Sequence, residues 1–268
     1  MKRALSIYQY AAPLVLTPCS FLLWRREYAG NMKLTLAAML LPVLWAYIVP
    51  GIGTNVLGVW EFDTRLRMGR FRPHHGFVFG SATAMLAWLA HAAPARDLTD
   101  ILRKALVICS LLGFWNVLYD VKALQAGILR VYNQPWADGK GTAEIVLDYG
   151  PWFFGGFGAI YGGGMATLEL LDFRGALTMP VFLAVVSIVL GLALVVPTAG
   201  YVGQSIVRHG HWGTRPVMKQ KSQKAGTNVA QTLLSVPGAE AAAAERLQDQ
   251  VLESRTLHDR RITKCQSV

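Results

Sequence analysis

Long apolar runs alternate with short charged ones along this chain. A helix of roughly 20 apolar residues crosses the hydrocarbon core of a bilayer, and about 17 suffice. Runs of that order predict spans over residues 4–24, 34–50, 77–93, 105–121, 151–171 and 176–203. The expected fold class is therefore all-α, a polytopic membrane bundle of about six transmembrane helices. Pro13, Pro18, Pro42 and Pro197 fall within these runs, which a membrane helix tolerates because neighbouring helices re-satisfy the freed backbone groups.

The longest charged interruption is Asn55 to Gly76, NVLGVWEFDTRLRMGRFRPHHG, with two acids, four arginines and a His pair. From Val56 to Met68 the even positions read Val, Gly, Trp, Phe, Thr, Leu, Met, while Glu61, Asp63, Arg65 and Arg67 occupy odd ones. Period-two alternation predicts an extended segment here, not a helix. In the loop 122–150, two β-leaning runs flank Asp138-Gly139 and read as a hairpin. With six spans both stretches emerge on one face, so a small extended cap over that end of the bundle is expected.

Composition agrees with a membrane. Of 268 residues 53% are hydrophobic and 16% charged, against about 25% charged in an ordinary soluble domain. The net charge is +10, and residues 204–268 hold ten Lys and Arg against five Asp and Glu. That segment reads as a basic, flexible tail, and the basic bias of its side predicts both termini in the cytoplasm. No basic-aromatic module argues for nucleic acid. The N-terminal run carries no small-residue cleavage site before Arg25 and Arg26, so it reads as a retained span. Cys19, Cys109 and Cys265 are too dispersed for a disulfide framework or a zinc site. No cofactor, nucleotide or metal signature is complete.

Ionisable groups within spans are costly and need a reason. Asp120 lies one helical turn after Asn116, so the two share a face, with Trp115 and Tyr119 beside them. That face could hold a headgroup, a proton or a cation; the plainer alternative is Asp120 at the interface, solvated or paired with Lys122 or a nearby arginine. Glu61 and Asp63 share one face of an extended segment and, with His74 and His75, could serve acid-base chemistry. Against that, the acids could simply pair with Arg65, Arg67, Arg70 or Arg72. Those arginines could grip a phosphate headgroup, or be plain charge flanking a span. Gly158, Gly162 and Ala166 follow the small-xxx-small spacing of closely packed helices, within the bundle or in a homo-oligomer. Glu169 and Asp172 read as interfacial.

The functional expectation is an enzyme or binder acting on a lipid or isoprenoid-like molecule at the cytoplasmic leaflet of the cell membrane. Asp120, Glu61, Asp63, His74 and His75 are its candidate catalytic residues. Asn116, Tyr119, Trp115, Trp60 and the four arginines would contact the substrate. The alternative is a small transporter or an assembly subunit without catalysis.

Overall fold

In the computed structural model, which describes residues 2–219, the apolar runs become helices. They are α1 (Lys2–Glu27), α2 (Met32–Gly51), α3 (His75–Leu89), α4 (Leu98–Gln125), α7 (Phe157–Phe173) and α8 (Met179–His209). Two short helices, α5 (Gln134–Ala137) and α6 (Thr142–Leu147), lie between α4 and α7. Three helical segments are long and apolar enough to cross a membrane: Met32–Val56, Leu98–Gln125 and Met179–His209. Helix α3 has 15 residues, about 22 Å at 1.5 Å per residue. The outward faces of α4 and α8 are apolar, with Leu106, Phe114, Leu183, Ile188 and Val195 all exposed.

Aromatic side chains join the helices by donating into a neighbour's backbone. The Trp24 indole N–H reaches Ala84 O at 2.9 Å, tying α1 to α3. The Trp45 indole reaches Ala193 O at 2.9 Å, tying α2 to α8. The Tyr161 hydroxyl reaches Ala38 O at 2.8 Å, tying α7 to α2. Such side chains bring a large apolar body and one polar atom that must find a partner when buried. Helices α4 and α7 meet differently. A Cβ on Gly158 would stand 2.7 Å from Ile108 O, and one on Gly162 would stand 2.8 Å from Lys104 O. Gly158 and Gly162 of the expected small-residue stripe therefore pack on α4.

Both ends of the central stretch differ from expectation. Helix α2 runs on past Pro50 into a π-helical turn, Ile52–Val56. Only β1 (Trp60–Phe62) is a strand, and it pairs antiparallel with β2 (Leu129–Val131), Trp60 opposite Val131. Within that strand Phe62 is buried, while Trp60 and Glu61 are both half-buried. The extended pairing between the two loops is thus present as a two-stranded sheet. The hairpin at Asp138-Gly139 is not. Asp138 caps α5, whose N-cap Asn133 accepts from the Trp136 N–H, and the run that follows is α6. Capping and helix-forming residues at 133–147 outweighed the Asp-Gly turn signal.

A second π-helical turn, Pro151–Gly156, leads into α7, and α8 extends six residues beyond the predicted boundary at 203. His209 at its end meets Asp148 at 2.8 Å, and Asp148 also accepts from Asn133 at 3.0 Å. The predicted tail beyond residue 219 lies outside the described residues.

Gly158→Ala is expected to lower stability by about 1–3 kcal/mol, since the added methyl must displace an α4 carbonyl. Gly191→Ala on α8, which meets nothing within 4 Å, is the control and is expected to be neutral. Thermal unfolding of the purified protein in detergent reads both.

Candidate functional site

The centre of interest is a cavity of about 300 Å³. Helix α1 packs on α3 and α4 packs on α7, but α1 and α4 barely meet. The cavity occupies the resulting gap, between Tyr8 and Leu16 of α1 and Trp115, Asn116, Tyr119 and Asp120 of α4. Ala82, Met85 and Leu86 of α3 line its apolar part, and Trp60 and Phe62 of β1 cover one end. The spacing of Asn116 and Asp120 puts both on the cavity side, as the shared helix face predicts.

Arg72 is the residue around which the polar end is built. It is only 1% exposed. Its Nε donates to His75 Nδ1 at 2.9 Å, and its Nη1 donates to Gln9 Oε1 at 3.3 Å. The guanidinium lies over the Phe62 ring, 4.7 Å from its centre. A turn positions it: the His75 N–H donates to Arg72 O, and the Tyr47 hydroxyl holds the Pro73 carbonyl at 2.9 Å. An arginine Nε is always a donor. His75 Nδ1 must therefore present its lone pair, and the proton of this neutral ring sits on Nε2.

Asp120 faces the same space. Its Oδ2 accepts from the Tyr149 hydroxyl at 2.7 Å. Burial first, and then the neighbouring Asp120 carboxylate, hold the Tyr149 phenol well above its ordinary value. Tyr149 therefore remains a donor across the usual pH range. Among the described residues Asp120 and Arg72 form no ion pair. Asn116 Nδ2 is buried without any hydrogen-bond partner.

The other predicted residues go elsewhere. Glu61 accepts from the Tyr132 hydroxyl at 2.7 Å and stands 3.8 Å from Arg130; Asp63 stands 4.0 Å from the same arginine. The expected partners of these acids, Arg65, Arg67, Arg70 and Arg72, are replaced by Arg130 from the paired strand. Arg65, Arg67 and Arg70 are exposed, and Arg70 donates to Gly58 O. His74 packs its ring 4.9 Å from that of Tyr10 and has no hydrogen-bond partner. Burial, and then the Arg72 cation, lower its pKa. The structure thus brings together Asp120, Asn116, Trp115, Tyr119, Trp60, Arg72 and His75. Tyr8, Gln9 and Tyr149 complete the group, and sequence reasoning missed all three.

A second polar cluster was also missed. Glu169, read as interfacial, is buried, and four groups converge on it from distant segments. The Tyr28 hydroxyl lies at 2.7 Å, His91 Nε2 at 2.9 Å and the Ala95 N–H at 2.9 Å, with the Lys104 ammonium as the fourth. Glu27 stands 3.2 Å from His91 Nδ1. The carboxylate is fully engaged by these donors. Among the described residues no group of three or more metal-ligating side chains comes together.

No protein-family model, curated protein or solved structure matches this chain.

Glu169→Leu strands the Lys104 charge in a buried setting and is expected to cost about 3–5 kcal/mol. Adding Lys104→Met to it is expected to recover most of the loss. Chemical unfolding in detergent, compared across the two variants and the parent, reads the difference.

Proposed function

We propose that this chain is a multi-pass membrane protein, its six long helical segments crossing the bilayer, that binds a lipid or isoprenoid-like molecule between α1 and α4. The observation that carries the reading is the cavity: an apolar pocket of about 300 Å³ with Arg72, His75, Asn116 and Asp120 gathered at one end. Ligand sites are of this kind, mostly apolar with a few convergent polar groups that fix orientation. The cavity's length between the polar end and Met85 and Leu86 suits an amphiphile, head toward Arg72 and tail along α3.

Access from the lipid is through the seam where α1 and α4 fail to pack. Trp115 supports this, since it lines the cavity and is also 47% exposed on the outer face of α4. The basic bias of the loops favours placing the polar end, with β1 and β2, on the cytoplasmic side. In an enzymatic version Asp120 is the acid or base, because it alone among the candidate carboxylates reaches the cavity. A transporter would instead need polar groups continuing across the bundle. The Glu169 cluster at the opposite end is separated from Asp120 by apolar α4 residues such as Ile108 and Leu112, which favours binding over transport.

Ala82→Trp fills the apolar part of the cavity. Native mass spectrometry of the detergent-purified parent is expected to show a co-purified lipid that this variant lacks. A parent protein carrying no lipid, or a variant that carries the same one, would remove the proposal.

A further inference from the structure

Resting on the lipid-binding reading, we infer that Trp60 confines the bound molecule to one chamber, so that the site takes an amphiphile with a single apolar chain and turns away one with two. The inference comes from a second cavity on the far side of the Trp60 ring.

That cavity measures about 190 Å³. Its walls include Ile52 and Leu57 beyond α2, Val131 of β2, and Leu194 and Val202 of α8. No charged side chain lines it among the described residues, so it offers room for hydrocarbon and no grip for a charged head. Val49, Trp60, Tyr149 and Phe153 line both this cavity and the first. These four side chains are therefore the partition between the two spaces. The polar end of the first cavity stands against that partition, since Tyr149 donates to Asp120 at 2.7 Å. A head held near Asp120 and Arg72 thus has one apolar space along α3 and a second behind the partition. A single chain occupies the first. A second chain branching from the same head would have to pass between the four side chains.

Trp60 is the member that closes the way. Tyr149 is held by Asp120, and the Phe153 ring packs 5.5 Å from that of Tyr201 on α8. The Trp60 ring comes in from the strand, 5.9 Å from the Tyr149 ring and 5.6 Å from the Phe153 ring. Its seat is made of backbone. A Cβ on Gly53 would stand 2.3 Å from Trp60 Cε3, so the π-helical turn after α2 carries no side chain where the ring rests. The Val59 N–H donates to Gly53 O at 2.9 Å, and strand pairing sets Trp60 opposite Val131. Both contacts fix the backbone that carries the ring. Forcing extra methylenes into a space packed in this way is costly, whereas loss of the ring joins the two chambers.

The test uses two probes with one glycerol head, monooleoylglycerol and dioleoylglycerol, which differ by a single chain. Each is titrated into the full-length protein in detergent, and the bound fraction is read by native mass spectrometry. The parent is expected to bind the one-chain probe at least tenfold more tightly than the two-chain probe. Trp60→Leu is expected to raise two-chain binding relative to one-chain binding at least tenfold. Trp60→Phe, which keeps a smaller ring against Gly53, is expected to raise it at least threefold. Val202→Trp fills the second chamber. Alone it is expected to leave the parent's preference unchanged, and added to Trp60→Leu it is expected to restore that preference. A parent that binds both probes equally overturns the inference and leaves lipid binding standing. A preference unmoved in both Trp60 variants overturns it too, as does a gain that survives Val202→Trp. Neither probe binding the parent also overturns it, and a parent that carries no co-purified lipid besides loses the lipid-binding reading with it.

Discussion

Arg72 carries a full charge into a wall of aromatic rings, and the surrounding end of the bundle is arranged around keeping it there. No carboxylate touches it. Its direct partners are two neutral acceptors, Gln9 Oε1 and His75 Nδ1, and the face of Phe62. Each of these ties the charge to a different element. Gln9 comes from α1, His75 opens α3, and Phe62 ends the strand whose pairing with β2 closes the cavity. A guanidinium suits this role better than an ammonium would, since it is planar, more weakly hydrated and stacks on rings. Moving any one of the three would leave a buried cation short of a partner, so the sheet, the helix start and α1 are held in mutual register.

The two polar ends of the molecule solve the same problem in opposite ways. At the Glu169 end, opposite charges are in contact, and two neutral donors and an imidazole complete the carboxylate's shell. That arrangement is closed and asks for nothing more. At the Arg72 end, the guanidinium and the Asp120 carboxyl share one cavity but stay apart, each held by neutral neighbours. Polar groups kept apart in this way leave room and unused hydrogen-bonding capacity between them. Stability accounts for the first arrangement on its own. The second is the arrangement on which the proposed binding site rests.

Helix positions were legible because apolar runs of that length have few other uses, and the Asn116–Asp120 face was legible because four-residue spacing is a local property of a helix. Other features depend on contacts far along the chain. Nothing local separates Arg72 from Arg65, Arg67 or Arg70. What buries it is Gln9, 63 residues away, and the Pro73 carbonyl that Tyr47 holds. Glu169 was misread for the same reason, since Tyr28 and His91 lie 141 and 78 residues from it in the chain. Glu61 and Asp63 stood among arginines in the sequence, yet strand pairing delivered Arg130 to them instead. The Asp138-Gly139 turn failed locally: Asn133 capped a helix first.

Protein interiors are packed to the density of organic crystals, and voids larger than a water molecule are few. A space of about 300 Å³ in a bundle that elsewhere brings backbones close enough to require glycine therefore needs a physical cause. The cause is that the walls are anchored outward. Helix α4 is held against α7 by the glycine contact at residues 158 and 162, so it cannot move toward α1 without losing that fit. Helix α1 is held against α3 by Trp24 and by Ser20, whose hydroxyl reaches Ser81 O. The rings that could collapse inward are also fixed: Trp45 by Ala193, Tyr149 by Asp120, and Trp60 by its place in the strand. Closing the space would break at least one of these contacts for each wall that moved. The cavity is thus held open by the protein's own contacts, so a ligand of the proposed kind would spend little of its binding free energy on ordering the protein.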